Sequence, residues 1–171
     1  MSHADIILLI ILGGFSLFGL WFGFIHTLGS LIGTVFGAYV SSHYYGPISS
    51  WVWSLTGGNE NLVKFIVFIL IFIIANRLVG FVFWLIEKLF NIIKIIPFLS
   101  TINRLLGFVF GLAEGTLFLG LTLFFVSKFP FSDWVINSLL KSEVANSLIK
   151  ISSVLWPLLP AALKQIQAVI L

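Results

Sequence analysis

The stretch INRLLGFVFGLAEGTLFLG, residues 102–120, decides how the whole sequence is interpreted. It is apolar enough to cross a bilayer, for which a helix needs about 20 residues. It nevertheless carries Arg104 near one end and Glu114 in the middle. Charged side chains at this depth are rare, and they pair, face the interior of a bundle or line water. The stretch therefore predicts a transmembrane helix that holds a buried carboxyl group.

The composition of the chain predicts an integral membrane protein. Of its 171 residues, 60% are hydrophobic and 9% are charged, whereas soluble domains carry about 25% charged residues. The mean hydropathy is +1.16. So little polar surface cannot cover a water-soluble globule. The nine basic and six acidic residues are scattered along the chain, which favours a role in membrane topology over nucleic-acid binding.

Four apolar stretches predict four spanning helices. They cover residues 6–20, 26–44, 62–86 and 102–126. Residues 6–44 hold no charged side chain, and as one helix they would be about 58 Å long, nearly twice the hydrocarbon thickness. We therefore predict that they fold back as a short, glycine-rich hairpin with its turn between Gly19 and Gly23. A re-entrant pair of helices is the alternative.

Two connecting segments follow from turn-forming residues and charge. Residues 46–61 contain a proline, a Gly-Gly pair and two tryptophans, which predicts an interfacial loop. Residues 87–101 form a short amphipathic connector between the third and fourth helices. Lys88, Lys94 and Arg104 lie in or beside this connector, and the first hairpin has no basic residue. The positive-inside rule therefore favours a cytoplasmic connector with both termini on the opposite side.

The region after the fourth helix has an amphipathic pattern. Apolar residues at helical spacing predict one helix from about Trp134 to Trp156, lying on the membrane surface or against the bundle. Its polar face carries Asn137, Lys141, Ser142, Asn146, Lys150 and Ser153. The predicted architecture is all-α: a four-helix transmembrane bundle over residues 1–128 and an amphipathic tail over residues 129–171, in one unit.

Glycines recur every four residues on two of the predicted helices. They are Gly29, Gly33 and Gly37 on the second helix and Gly107, Gly111 and Gly115 on the fourth. This spacing places glycines on one helix face, where two backbones can approach closely in a membrane. Packing within the chain and a homo-oligomer interface are both compatible with these faces.

Two charges within predicted spans lie at similar depth. The short connector makes the third and fourth helices antiparallel neighbours, and Arg77 and Glu114 each lie roughly 16 Å from its ends. We predict that these residues face each other or share a polar pocket with Asn76. The group would be a buried fixing pair, a conduction or substrate site, or a protonated Glu114 held by hydrogen bonding alone.

No enzymatic or metal-binding pattern stands out in the sequence. The chain has no cysteine, and His3, His26 and His43 lie far apart without an acidic partner nearby. It contains no P-loop, GxSxG or dinucleotide-binding fingerprint. Asp5 opens the first helix, where an acidic side chain complements the helix dipole. We predict a protein that is not an enzyme and that uses no cofactor or metal.

Several segments resemble, in their order, those of a known family. They are ADIILLI, SSHYY, NRLLG, GLAEG and KSEVANSL. The most specific part is the signature Asn103, Arg104, Gly107, Gly111 and Gly115. On these segments the chain resembles the colicin V production protein (CvpA) family of small bacterial inner-membrane proteins. Members often carry a basic residue before the last glycine of this signature, where the present chain has Glu114.

The resemblance implies a four-span protein of the bacterial inner membrane with periplasmic termini. It also implies a role in bacteriocin production or export and in envelope homeostasis, through partner proteins. It assigns no catalytic or ligand residues. The alternative is a small oligomeric channel or transporter with Arg77, Glu114 and Asn76 near its path. The expected partners are the lipid bilayer, export or envelope proteins and further copies of the chain, with no nucleic acid.

Overall fold

The computed structural model describes residues 2–90 and 97–158, and these residues form helices joined by short turns. No strand occurs among them. The elements are α1 (His3–Phe22), α2 (Phe24–Thr56), α3 (Glu60–Phe90), α4 (Pro97–Lys128), α5 (Asp133–Leu140), α6 (Glu143–Ser152) and a 3-10 segment (Ser153–Leu158). Helices α1 to α4 are long and apolar enough to cross a membrane. The all-α class and the four predicted spans are thereby confirmed.

Of the two helix pairs with the most extensive packing, one is adjacent in sequence and the other joins the first and the last long helix. α2 packs along α3, α1 packs along α4, and α2 also contacts α4. The helices therefore lie across the bundle in the order α3, α2, α4, α1, with α1 and α3 at its two flanks. The prediction that the third and fourth helices are direct neighbours was wrong, since α2 lies between them. α1 and α2 are joined by the single residue Gly23, which has a φ of 86°. Only glycine adopts this conformation readily.

α2 is longer than the short hairpin predicted from the sequence. It continues through Pro47 to Thr56, so most of the loop predicted over residues 46–61 is helical. A proline removes one backbone hydrogen bond, but the turns on both sides of it remain helical. The helix ends where Gly57 and Gly58 take φ values of 66° and 85°.

The tail contains two short helices where the sequence pattern predicted one. α5 ends at Leu140, and Ser142 caps the new helix α6 by accepting a hydrogen bond from the backbone N–H of Ala145 at 3.0 Å. α6 packs against α4, where Gly120 lies close to the carbonyl oxygen of Leu148. The prediction that Ser142 belongs to an exposed polar face was wrong, since its side chain is fully buried at this junction.

Candidate functional site: a cavity within the bundle

A partly open cavity of about 510 Å³ is lined by all four long helices. Since α1 and α3 flank the bundle, the cavity lies between them and over α2 and α4. Its walls are mainly apolar and include the aromatic rings of Phe15, Phe18 and Phe118. It lies near mid-length of the candidate membrane spans, because Glu114 on its wall is about 20 Å from each end of the α4 span.

Glu114 is the buried charged group of this cavity. Its side chain is 7% exposed, and Oε1 accepts a hydrogen bond from the Ser30 hydroxyl of α2 at 2.5 Å. Oε2 has no hydrogen-bond partner among the described residues. No fully buried side-chain oxygen in that part of the chain lacks a partner, so Oε2 is reachable from the cavity. The carboxyl group therefore retains capacity to bind a further donor.

Arg77 and Asn76 of α3 line the same cavity. Asn76 donates from Nδ2 to the Thr34 hydroxyl at 3.1 Å, which fixes its amide between α2 and α3. Arg77 is exposed and makes no N···O contact within 4.0 Å of Glu114 in the described structure. The structure thus places the three residues around one cavity, without a direct ion pair between Arg77 and Glu114.

Ser30, the direct partner of Glu114, was missed by sequence reasoning. The hydroxyl sits one residue after Gly29, beside the glycine face rather than on it. The depth of a residue follows from counting along a helix, but its rotation towards a partner helix depends on how the helices pack. A polar side chain beside a glycine stripe was the available signal.

The glycine stripe of α2 lies against α3. A Cβ atom added to Gly29, Gly33 or Gly37 would lie 2.5, 2.6 or 2.7 Å from side-chain atoms of α3. Real Cβ atoms do not approach so closely, so the side chains of α3 occupy the space that these glycines leave. The stripe is therefore used within the chain.

The signature glycines of α4 bring its backbone against that of α1. A Cβ on Gly107 would lie 2.2 Å from the carbonyl oxygen of Gly19, and one on Gly111 would lie 2.5 Å from that of Phe15. Gly115 meets the Phe15 side chain instead. A larger residue at Gly107 or Gly111 would force the two helices apart.

The remaining signature residues differ in their roles. Asn103 accepts a hydrogen bond at Oδ1 from the backbone N–H of Phe24 at 3.1 Å. The first N–H groups of a helix have no partner within it, so Asn103 caps α2 from another helix. Arg104 is exposed and forms no hydrogen bond or ion pair with another described residue.

A second buried carboxyl group, Asp5, lies outside the cavity. Its Oδ1 accepts hydrogen bonds from the Ser142 hydroxyl at 2.5 Å and the Val144 backbone N–H at 3.2 Å. Its Oδ2 accepts one from the backbone N–H of Ser2 at 2.6 Å. Asp5 therefore ties α1 to the start of α6. The sequence predicted only a helix-dipole role, because the partners lie about 140 positions away.

Within residues 2–90 and 97–158, no three His, Cys, Asp or Glu side chains lie close enough to hold a metal ion. The chemistry that the cavity offers is thus one carboxyl group, one guanidinium group, the imidazole of His26 and a few hydroxyl and amide groups.

Comparison with known proteins identified the family of the chain. The family model described as colicin V production protein matches residues 4–153. The match runs from α1 through α6, so it includes the cavity, the glycine faces and the contact between Asp5 and α6. No curated protein and no solved structure matched the chain.

Proposed function

The chain belongs to the colicin V production protein family, and from this premise we propose that it supports the production or export of a peptide bacteriocin. In this proposal it is a non-enzymatic protein of the bacterial inner membrane that acts through partner proteins and also maintains the envelope. The observation that carries the proposal is the match over residues 4–153. The four helices long enough to cross a membrane provide the attachment.

The proposal is tested in a strain that secretes a colicin V-type bacteriocin. Deletion of the gene removes the growth-inhibition zone on a sensitive lawn, and expression of the wild-type chain restores it. An immunoblot of the toxin inside the cells separates the two roles, since an export defect leaves toxin in the cell and a production defect does not. Leakage of a periplasmic enzyme reports on the envelope. Normal secretion and normal envelope retention after deletion would contradict the proposal.

The proposed orientation places both termini in the periplasm. Lys88 and Arg104 are exposed at the connector side of the bundle, whereas at the other side Lys64 pairs with Glu60 at 2.6 Å. Exposed basic residues next to spans favour the cytoplasmic side.

Because the chain has no cysteine, single cysteines can report this orientation directly. A membrane-impermeant maleimide should label Thr56→Cys in intact cells and label Arg104→Cys only after the cells are opened. The reverse pattern would place the termini in the cytoplasm.

The cavity supports a second candidate function, a small channel or transporter. Ionisable side chains that line an intramembrane cavity are typical of substrate and ion pathways, and transporter sites lie near the bilayer midplane. Native mass spectrometry gives the oligomeric state, and proteoliposomes give the flux. Both glycine stripes contact helices of the same chain, so we expect any oligomer to use other faces. A monomer without ion or solute flux would exclude this candidate.

A further inference from the structure

Two opposite charges line the cavity without touching each other. Glu114 is almost fully buried and has one oxygen without a partner among the described residues. The guanidinium group of Arg77 makes no hydrogen bond or ion pair within the described structure. Uncompensated charge at membrane depth is costly and usually marks a functional site. Because no direct ion pair joins Glu114 and Arg77, both groups remain available to a ligand in the cavity.

The rest of the cavity is suited to an apolar group. Phe15, Phe18 and Phe118 contribute rings to its wall, and Ser30 and Asn76 add neutral polar groups. The volume of about 510 Å³ falls in the range of about 300–1,000 Å³ that is usual for small-molecule sites. Space is also left at Gly14, where an added Cβ would meet nothing within 4 Å.

This inference rests on the second candidate function, in which the cavity is a binding site. We infer that the cavity binds a zwitterionic amino acid or short peptide with an apolar side chain. The ammonium group of the ligand pairs with Glu114, and the ligand carboxylate pairs with Arg77. The ligand side chain packs among the phenylalanine rings. A cationic ligand would leave Arg77 uncompensated, and an anionic ligand would leave Glu114 uncompensated. A zwitterion complements both charges.

Ligand binding to the full chain in lipid nanodiscs tests the charge requirement. Isothermal titration compares L-phenylalanine and the dipeptide Phe-Phe with three derivatives. Phenylalaninamide lacks the carboxylate, N-acetylphenylalanine lacks the ammonium group, and N-acetylphenylalaninamide lacks both. Since hydrogen bonds to charged groups contribute more than neutral ones, the better zwitterion should bind at least about tenfold more tightly than each derivative. Tighter binding of L-phenylalanine would indicate an amino acid site, and tighter binding of Phe-Phe would indicate a peptide site.

Two variants assign the charges to the two ends of the ligand. Glu114→Gln should abolish the advantage of the zwitterion over N-acetylphenylalanine, and Arg77→Gln should abolish its advantage over phenylalaninamide. Arg104→Gln is the matched control, because Arg104 is exposed but does not line the cavity; it should preserve both advantages. If Glu114→Gln does not fold, Arg77→Gln with the same ligands still decides the question.

The outcomes separate this inference from the functions on which it rests. Equal binding of all ligands would overturn the zwitterion while leaving the cavity as a binding site. Absence of binding would overturn the inference and would also remove support for transport. The bacteriocin secretion assay does not depend on either result, so it tests the proposed role in bacteriocin production or export separately.

Discussion

The two buried carboxyl groups of this protein are held in opposite ways. Asp5 accepts hydrogen bonds from the Ser142 hydroxyl and from the backbone N–H groups of Ser2 and Val144. Glu114 accepts one, from Ser30. Asp5 lies at the end of a helix beside a second helix start, whereas Glu114 lies in the middle of a span on a cavity wall.

The difference separates a structural role from a functional one. A buried carboxyl group with its acceptor sites filled holds elements together, and its removal leaves several donors unsatisfied. One with an unused oxygen facing a cavity contributes less to stability and retains capacity for a ligand. The comparison therefore predicts that stability depends on Asp5 and that function depends on Glu114.

The largest expected effect is that of Asp5→Ala. It removes the acceptor for Ser142 and for the start of α6, so the melting temperature in detergent should fall by several degrees, more than for any other substitution considered. Hydrogen exchange should increase across α6. Asp133→Ala is the control, since Asp133 is exposed in the first turn of α5. Equal losses for the two variants would refute the structural role of Asp5.

A smaller loss is expected from Gly19→Ala, which changes the cavity wall and leaves the contacts of Asp5 intact. The added Cβ would lie 2.1 Å from the Gly107 carbonyl oxygen, so α1 must shift away from α4 at a cost of about 2 kcal/mol. Thermal unfolding measures the loss. Gly13→Ala on the same helix meets nothing within 4 Å and should retain wild-type stability; a loss as large as that of Gly19→Ala would argue against the close approach.

Ser142→Ala removes a side-chain partner of Asp5 and leaves the carboxyl group itself in place. It removes the hydroxyl donor to Asp5 and the cap that binds the Ala145 N–H. The loss of a helix cap costs about 1 kcal/mol, measured by denaturant or thermal unfolding. Ser147 lies on the exposed face of α6, so Ser147→Ala should reduce stability less. If the two serines are equivalent, the junction between α1 and α6 contributes nothing to stability.

The smallest effect on stability is expected from Glu114→Gln. Glutamine keeps an oxygen that can accept the Ser30 hydrogen bond, so the free energy of unfolding should change by less than about 1 kcal/mol. Bacteriocin secretion should nevertheless decrease in the complemented strain. Thermal unfolding and the inhibition zone are measured on the same variant. A large loss of stability with normal secretion would reverse the proposed roles of the two carboxyl groups.

The spans were predictable because hydropathy and length are local properties. The predicted third span, residues 62–86, lies inside α3, and the predicted fourth span, residues 102–126, lies inside α4. The continuation of α2 beyond Pro47 was not predictable from composition, since proline and polar residues resemble a loop locally. Ser49 is the buried residue of this continuation and nearly all of the others are exposed, so the helix there is maintained by its own backbone hydrogen bonds.

The site was predictable in depth but not in partners. Counting residues along two helices placed Arg77 and Glu114 at a similar level, and both line the cavity. The hydrogen bond from Ser30 and the contact between Asp5 and Ser142 depend on helix rotation and on contacts between distant parts of the chain. Neither the rotation of a helix towards its neighbour nor a contact between distant parts of the chain can be read from a periodicity in the sequence.

The first helix, α1, packs against α4 and α6, which are synthesised last. This packing therefore delays the assembly of α1 with its partners during synthesis. Asp5 and Ser142 are 137 positions apart, and at about 5–20 residues per second the ribosome needs roughly 7–27 s to produce the second after the first. During that interval α1 is complete while its glycine face and its carboxyl group still lack their partners. In nascent chains stalled before α4, α1 is long enough to span the bilayer but lacks its main packing partner. Such chains should therefore be recognised by membrane quality control.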